Sequence, residues 1–285
     1  MTNHIVYKGE SNRLHSGFFR EHAHIIKQIR NGERDGLYFF DDFNSGGSAQ
    51  ATNAFAWTGG SPAMQYLGYA TASTTVKPSN TAGDYGIGVL EIGACNADND
   101  EAYITLDNTY CEAMCAASST AAAIKPFIFE ARVRFSDVTK QIGKFIGLNG
   151  LVAPTTGDIA NGSASLADAS YIGYRAFAAD PDGMDAVHRN LGGGGEVIVT
   201  EAATDDNLDI VASTFKKFGV LFDGTTVKYY VDGRLVDTAL PSDTDFPNGD
   251  LLVPKLMVRC EETATGHTVG LDWWSLLRVD GTVLK

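Results

Sequence analysis

The stretch KKFGVLFDGTTVKYYVDGRLVDTA, residues 216–239, decides the fold class. Apolar runs at 215–221 and 226–231 flank Phe222-Asp223-Gly224-Thr225, and Asp-Gly is the pair that tight hairpin turns favour because both positions tolerate a left-handed backbone. Val231-Asp232-Gly233-Arg234 repeats the device at once, with Leu235 and Val236 returning on a further strand. A three-strand antiparallel meander is therefore predicted here, and 251–260 and 268–277 add two more strands, the second carrying Trp273 and Trp274.

Upstream, residues 126–135 read PFIFEARVRF, in which Phe127, Phe129, Ala131, Val133 and Phe135 face one way and Ile128, Glu130, Arg132 and Arg134 the other. That alternation predicts an antiparallel strand. Residues 144–148, 170–176 and 196–200 are further strand candidates, as are patches at 85–92 and 102–106. Short strands with turn signals between 37 and 285 predict two packed antiparallel sheets. The four glycines at 192–195 read as a hairpin loop, because Val197 stands where a dinucleotide fingerprint needs its third glycine. PDGMD, residues 181–185, reads as a polar turn.

Only residues 16–32 carry helical periodicity: Ser16 can cap, Phe18, Ile25, Ile26 and Ile29 recur on one face, and Asn31-Gly32 supply a stop. Gly36 marks the boundary between an N-terminal arm, 1–36, and a sandwich domain, 37–285. The chain carries 22 Lys and Arg against 35 Asp and Glu, a net charge of −13, so its body should repel nucleic acid. The arm is the exception, with six cations (Lys8, Arg13, Arg20, Lys27, Arg30, Arg34) against four acids (Glu10, Glu21, Glu33, Asp35). No apolar run reaches the roughly 18 residues of a membrane span, and the polar start predicts synthesis in the cytoplasm. Cys95, Cys111, Cys115 and Cys260 read as buried free thiols, and His22 and His24, two apart on a helix, point to different faces.

Residues 216–239 and the closing strand VGLDWWSLLRV, 269–279, resemble the concanavalin A-like jelly-roll superfamily of lectins, laminin G-like modules and glucanases. The resemblance implies an all-β, two-sheet antiparallel jelly-roll sandwich. For its enzymatic members it also implies carboxylates at alternate positions of one strand, in a Glu-x-Asp-x-x-Glu arrangement, and no such triplet occurs in this chain. The acid groups Asp98, Asp100 and Glu101, and Asp205, Asp206 and Asp209, fall in sequence that reads as loop. Asp180, Asp182 and Asp185 have the oxygen ligands calcium takes but are assigned to a turn. Ser48 and Ser61 follow double glycines without the closing glycine of a nucleophile elbow. No catalytic residue, metal ligand or cofactor is assigned, and the chain is expected to work by binding rather than as an enzyme.

An anchoring helix on a rigid β body also resembles the virion proteins of tailed bacteriophages. The expectation is a capsid decoration, or cement, protein at the virion surface, assembled as a homotrimer. Its arm residues Phe18, Phe19, Arg20, Ile25, Ile26, Lys27, Ile29 and Arg30 would grip the major capsid protein. The competing packing lays this helix across its own sandwich. A second expectation is a carbohydrate-binding module in which Trp57, Tyr66 or Tyr69 stack on sugar faces, and a third is a glycan-cleaving enzyme with a carboxylate pair on a concave sheet face.

Overall fold

The computed structural model describes residues 19, 21–41, 43, 50–51, 55–58, 65–70, 75–78, 89–95, 97–98, 100–106, 115–116, 125–138, 142–150, 170–177, 180–190, 195–240, 245–247, 251–260 and 267–280. In chain order a helix α1 (Ala23–Arg30) precedes β1 (Gly36–Asp41), β2 (Gln50–Ala51), β3 (Phe55–Thr58), β4 (Gln65–Ala70), β5 (Thr75–Pro78) and β6 (Leu90–Cys95). Next come β7 (Glu101–Leu106), β8 (Cys115–Ala116), β9 (Phe127–Phe135), β10 (Ile142–Gly150), β11 (Tyr171–Phe177), β12 (Asp180–Arg189) and β13 (Glu196–Thr200). The meander is β14 (Phe215–Phe222), β15 (Val227–Val231) and β16 (Arg234–Ala239), followed by β17 (Leu251–Cys260) and β18 (His267–Val279).

These strands form two antiparallel sheets packed as a jelly-roll sandwich. One sheet runs β16-β15-β14-β9-β18-β6-β5-β2, with β1 beside the C-terminal half of β18; the other runs β13-β12-β11-β10-β17-β7-β4-β3, with β8 beside β17. They are called here the helix-side sheet and the open-side sheet. The predicted meander is present, and Asp232 (φ 51) with Gly233 (φ 81) makes the two left-handed positions of its second turn. Strand β9 alternates as read, with Phe127, Phe129, Ala131, Val133 and Phe135 all in the core between the sheets. PDGMD is strand instead of turn: Arg175 pairs with Asp185 and Phe177 with Asp180, so β12 bulges between these pairs, and Gly183 bridges to Asp209. Five steps along β12 face two along β11, so the bulge takes up three extra residues and carries Pro181 and Gly183 inside the strand.

The core holds its aromatics by shape and by hydroxyl bonding. Trp274 packs against Tyr66 and Phe43, each with ring centroids 5.9 Å away, and the Tyr66 hydroxyl donates to the Asp41 carboxylate. Tyr174 crosses from the open-side sheet and donates to the carbonyls of Gly219 (3.0 Å) and Tyr230 (2.9 Å) on the other. Tyr229 returns the tie, donating to Val187 at 3.2 Å. Polar tips satisfied in this way let Tyr66, Tyr174 and Tyr229 be fully buried without an orphaned hydroxyl.

The outer face of the helix-side sheet is covered by the chain itself. Phe19, Ile25, Ile26 and Ile29 are buried against Tyr38, Phe40, Ile128, Leu221, Trp273, Leu277 and Val279, while Lys27 and Arg30 point to solvent. The apolar stripe that the sequence offers to a partner thus lies on the chain's own sandwich; Phe18, Arg20 and the Ser16 cap are outside the described residues. Gly36 makes the close approach possible, since a Cβ there would lie 2.7 Å from the Ile29 Cδ1 atom. Replacing Ile29 by alanine should cost about 2 kcal/mol of unfolding free energy by urea titration; an unchanged midpoint would mean that the helix is not docked. Among the described residues no helix is long and apolar enough to cross a membrane.

Candidate functional site

The outer face of the open-side sheet is lined largely by buried side chains and reaches solvent at its β13 edge. Its side chains follow from strand parity. On β10, Ile146 and Leu148 point into the core, so Gly143, Phe145, Gly147 and Asn149 point out. On β11 the outward positions are Tyr171, Gly173 and Arg175; on β12, Asp185, Val187 and Arg189; on β17, Lys255, Met257 and Arg259. Tyr103, Phe145, Tyr171, Val187 and Met257 form a separate buried cluster on this face.

Two glycines open the centre. Gly147 and Gly173 are cross-strand partners, and a Cβ on either would come within 2.7 Å of the other's Cα. The rings beside them lie over this bare backbone: the Phe145 Cζ is 3.0 Å from where a Gly147 Cβ would stand, and Phe145 meets Tyr171 edge to face at 5.8 Å. The Lys255 ammonium sits 4.3 Å from the centre of the Tyr103 ring, a cation held by an aromatic face.

Toward the β13 edge the face becomes ionic. Glu196 projects from β13 in register with Arg189, and its two carboxylate oxygens are taken by the Arg175 guanidinium and the Tyr171 hydroxyl. Burial pushes the Glu196 carboxyl up to about 7, and Arg175 with Tyr171 offsets only part of that push. Burial likewise raises the Tyr171 hydroxyl and lowers the Arg175 guanidinium. Asp185, opposite Arg175 in register, accepts the Ala202 amide at 2.8 Å, and burial raises its carboxyl as well. Asp185, Arg189 and Glu196 are partly exposed and Ile198 beside them is exposed, so this end of the cluster reaches solvent.

A carboxyl that titrates near neutrality and sits between a guanidinium and a phenol is able to bind polar hydroxylated ligands and to hand over a proton at physiological pH. The alternate carboxylates that the resemblance implied for enzymatic members are absent from β10, β11, β12 and β17, whose outward positions are given above. Glu101, read as loop, opens β7 and is buried, and Asp100 beside it accepts the Ala97 amide at 2.9 Å. Among the described residues no three His, Cys, Asp or Glu side chains converge to hold a metal ion. Of the stacking candidates, Tyr66 is a core residue turned away from this face, and the side chains of Trp57 and Tyr69 lie outside the described residues. Glu196 was missed as a site residue because a single glutamate opening a short strand carries no motif; its role comes from Tyr171 and Arg175, 25 and 21 positions upstream.

No protein-family model matches the chain, and no curated protein matches it. Among solved structures it is similar to the catalytic domain of an endo-1,3-β-glucanase (laminarinase) from Thermotoga petrophila RKU-1, with a TM-score of 0.49, 12% identity, and 87% of this chain and 100% of that one covered. It is similar to an endo-acting O-glycanase of the human gut microbiota (TM-score 0.48, 11% identity, 85% and 99% covered) and to a transglycosylase in complex with NAG (0.45, 12%, 86% and 85%). These neighbours correct two expectations. These three are named for glycan cleavage or transfer and none of them for a virion, and the expectations of a capsid decoration protein and of a non-enzyme are withdrawn.

Proposed function

We propose that the chain is a carbohydrate-active sandwich that engages a glycan on the outer face of its open-side sheet. One observation carries this reading: Glu196 is held near neutral titration between Arg175 and Tyr171 at the partly exposed end of an aromatic-lined face. Charged and hydrogen-bonding groups at the partly exposed β13 edge suit saccharides, which offer hydroxyls at their edges. On the opposite sheet α1 covers the outer face over β1, β9, β14 and β18.

The titration of Glu196 favours proton transfer to a glycosidic oxygen over binding alone. A carboxyl with a pKa of about 7 is half protonated at neutral pH, so its donating form is lost as pH rises through 7. The test is a panel of neutral and acidic oligosaccharides, read by thermal shift and by release of new reducing ends. One glycan class is expected to raise the melting temperature, with product release falling above pH 7. Glu196→Gln should keep the thermal shift and lose roughly 100-fold or more in product release. Absence of both shift and product across the panel would overturn the reading, and a shift without product would leave glycan recognition alone.

A further inference from the structure

Around Glu196 the strands bring a second guanidinium besides the one bonded to it. Arg175 on β11 is 5% exposed and closes the inner side of the carboxyl, while Arg189 on β12 stands opposite Glu196 in register and is partly exposed. Both guanidiniums pull the Glu196 carboxyl down against its burial. The acids that face this group are Asp185 on β12, whose carboxylate is engaged by the Ala202 amide, and Glu201 just beyond β13, which acts on Asp185. With Glu196 and Asp185 both ionised, the two arginines are balanced. Protonation of Glu196, the state in which it can donate, leaves one positive charge in excess at the end of the cluster that meets solvent.

We propose that Arg189 receives a carboxylate of the ligand, so that the glycan class taken at this edge is a carboxylate-bearing saccharide, built from uronic or sialic acid; this rests on the glycan reading given above. A guanidinium takes a carboxylate in two parallel hydrogen bonds, which fixes direction as well as charge. Ile198, 38% exposed and two residues along β13 from Glu196, shares the face through its register with Val187 and offers an apolar surface to the ring that bears the acid. A second carboxylate beside Glu196 disfavours its ionised form, so binding takes up a proton and tightens as pH falls. The attraction is local. The chain carries −13 overall and repels an anion at long range, a field screened beyond about 8 Å at physiological salt. A preference for acidic sugars must therefore come from the guanidiniums at the site.

The experiment measures affinity by isothermal calorimetry for galacturonate, glucuronate and sialyl oligosaccharides, each paired with its carboxyl-reduced analogue, at pH 6, 7 and 8. For wild type, one acidic member is expected to bind roughly 10-fold or more tightly than its reduced partner, which corresponds to about 1.4 kcal/mol or more. The ratio should be largest at pH 6, and proton uptake at pH 7 should appear as a heat that changes with the buffer. Arg189→Gln should bring the two partners within about 2-fold of each other and leave the reduced analogue near its wild-type affinity. Urea unfolding in parallel gives the folded fraction to which each affinity is referred, and Arg189→Leu serves if the glutamine variant does not fold. A residue that only supports the fold would weaken both partners alike. A reduced analogue that binds as tightly as its acid, a preference that survives the loss of Arg189, or a ratio equal at pH 6 and 8 overturns the assignment and spares the glycan reading. No binding by wild type to any oligosaccharide, acidic or reduced, overturns both.

Discussion

Gly173→Val is expected to destroy the fold or to cost more than about 4 kcal/mol, a loss large enough to diagnose a backbone collision instead of an ordinary packing defect. A Cβ at residue 173 would stand 2.4 Å from the Ile146 carbonyl oxygen and 2.7 Å from the Gly147 Cα, and both obstacles are backbone atoms of a paired strand. A flexible side chain can rotate away from such a contact; β10 cannot, because it is held on its far side by β17 through nine registered residues. Gly147→Val should fail for the same reason, its Cβ lying 2.4 Å from the Ile172 carbonyl oxygen. Gly195→Ala is the control: its Cβ would meet nothing within 4 Å, so its urea midpoint should stay within about 0.5 kcal/mol of wild type. Equal tolerance at 173 and 195 would show that β10 and β11 are not paired as described.

The contrast between the two sheets explains what could be read from the amino acids. Strand β9 and the meander belong to the helix-side sheet. There the hydrophobic alternation of β9 and the Asp-Gly turns speak directly, because Glu130, Arg132 and Arg134 interrupt the apolar series at every second place. In the open-side sheet both faces are buried, so β10 reads as IGKFIGLNG with apolar residues of both parities. Period two is erased when neither face meets water, and the sequence then reports a strand without saying which side is which. The amphipathic helix was legible for the same reason that β9 was, since one face of it is wet. What the apolar stripe covers was not legible, because a self-packed helix and a partner-seeking helix have the same periodicity; only the matching patch of Tyr38, Phe40, Ile128, Trp273 and Leu277 on the sheet distinguishes them.

The candidate site was the least legible part. A catalytic motif has its spacing along one segment, whereas Glu196, Arg175 and Tyr171 come from β13 and β11 and meet only through sheet register. Arg175 and Glu196 are buried together, and each would be costly alone. Such mutual dependence leaves no local trace in composition. It does leave a chemical one, since a lone strand glutamate in an apolar segment such as EVIVT, residues 196–200, needs a partner if it is to be buried.

The second large effect concerns a cation that the site does not use. Lys144 points into the end of the sandwich, 2% exposed, where its ammonium donates to the Pro181 carbonyl and lies 5.5 Å from the centre of the Phe135 ring. Burial pulls its pKa down to about 7, against the opposing pull of the Asp182, Asp137 and Asp180 carboxylates. Its folded pKa lies below its ordinary value of 10.5, so the folded chain disfavours the ammonium: below pH 7 the full penalty applies, and stability is recovered as pH rises from about 7 toward 10.5. Each pH unit in that window is worth about 1.4 kcal/mol. Two other titrations bracket it. The raised carboxyl of Glu196 withdraws stability as pH climbs to about 7 and is then spent, and the raised hydroxyls of Tyr171, Tyr174 and Tyr229 withdraw it only above pH 10. Between pH 7.5 and 9 Lys144 is therefore expected to dominate, and wild type should gain roughly 2 kcal/mol in urea unfolding. Lys144→Met removes the penalty at the cost of leaving the Pro181 carbonyl without its donor, about 1–3 kcal/mol. The variant should be more stable than wild type at pH 7, nearly flat between pH 7.5 and 9, and overtaken by wild type above pH 10. A wild-type curve that is flat from pH 7.5 to 9, or a variant that keeps the slope, would mean that the ammonium is solvated and that the end of the sandwich near β12 is open to water.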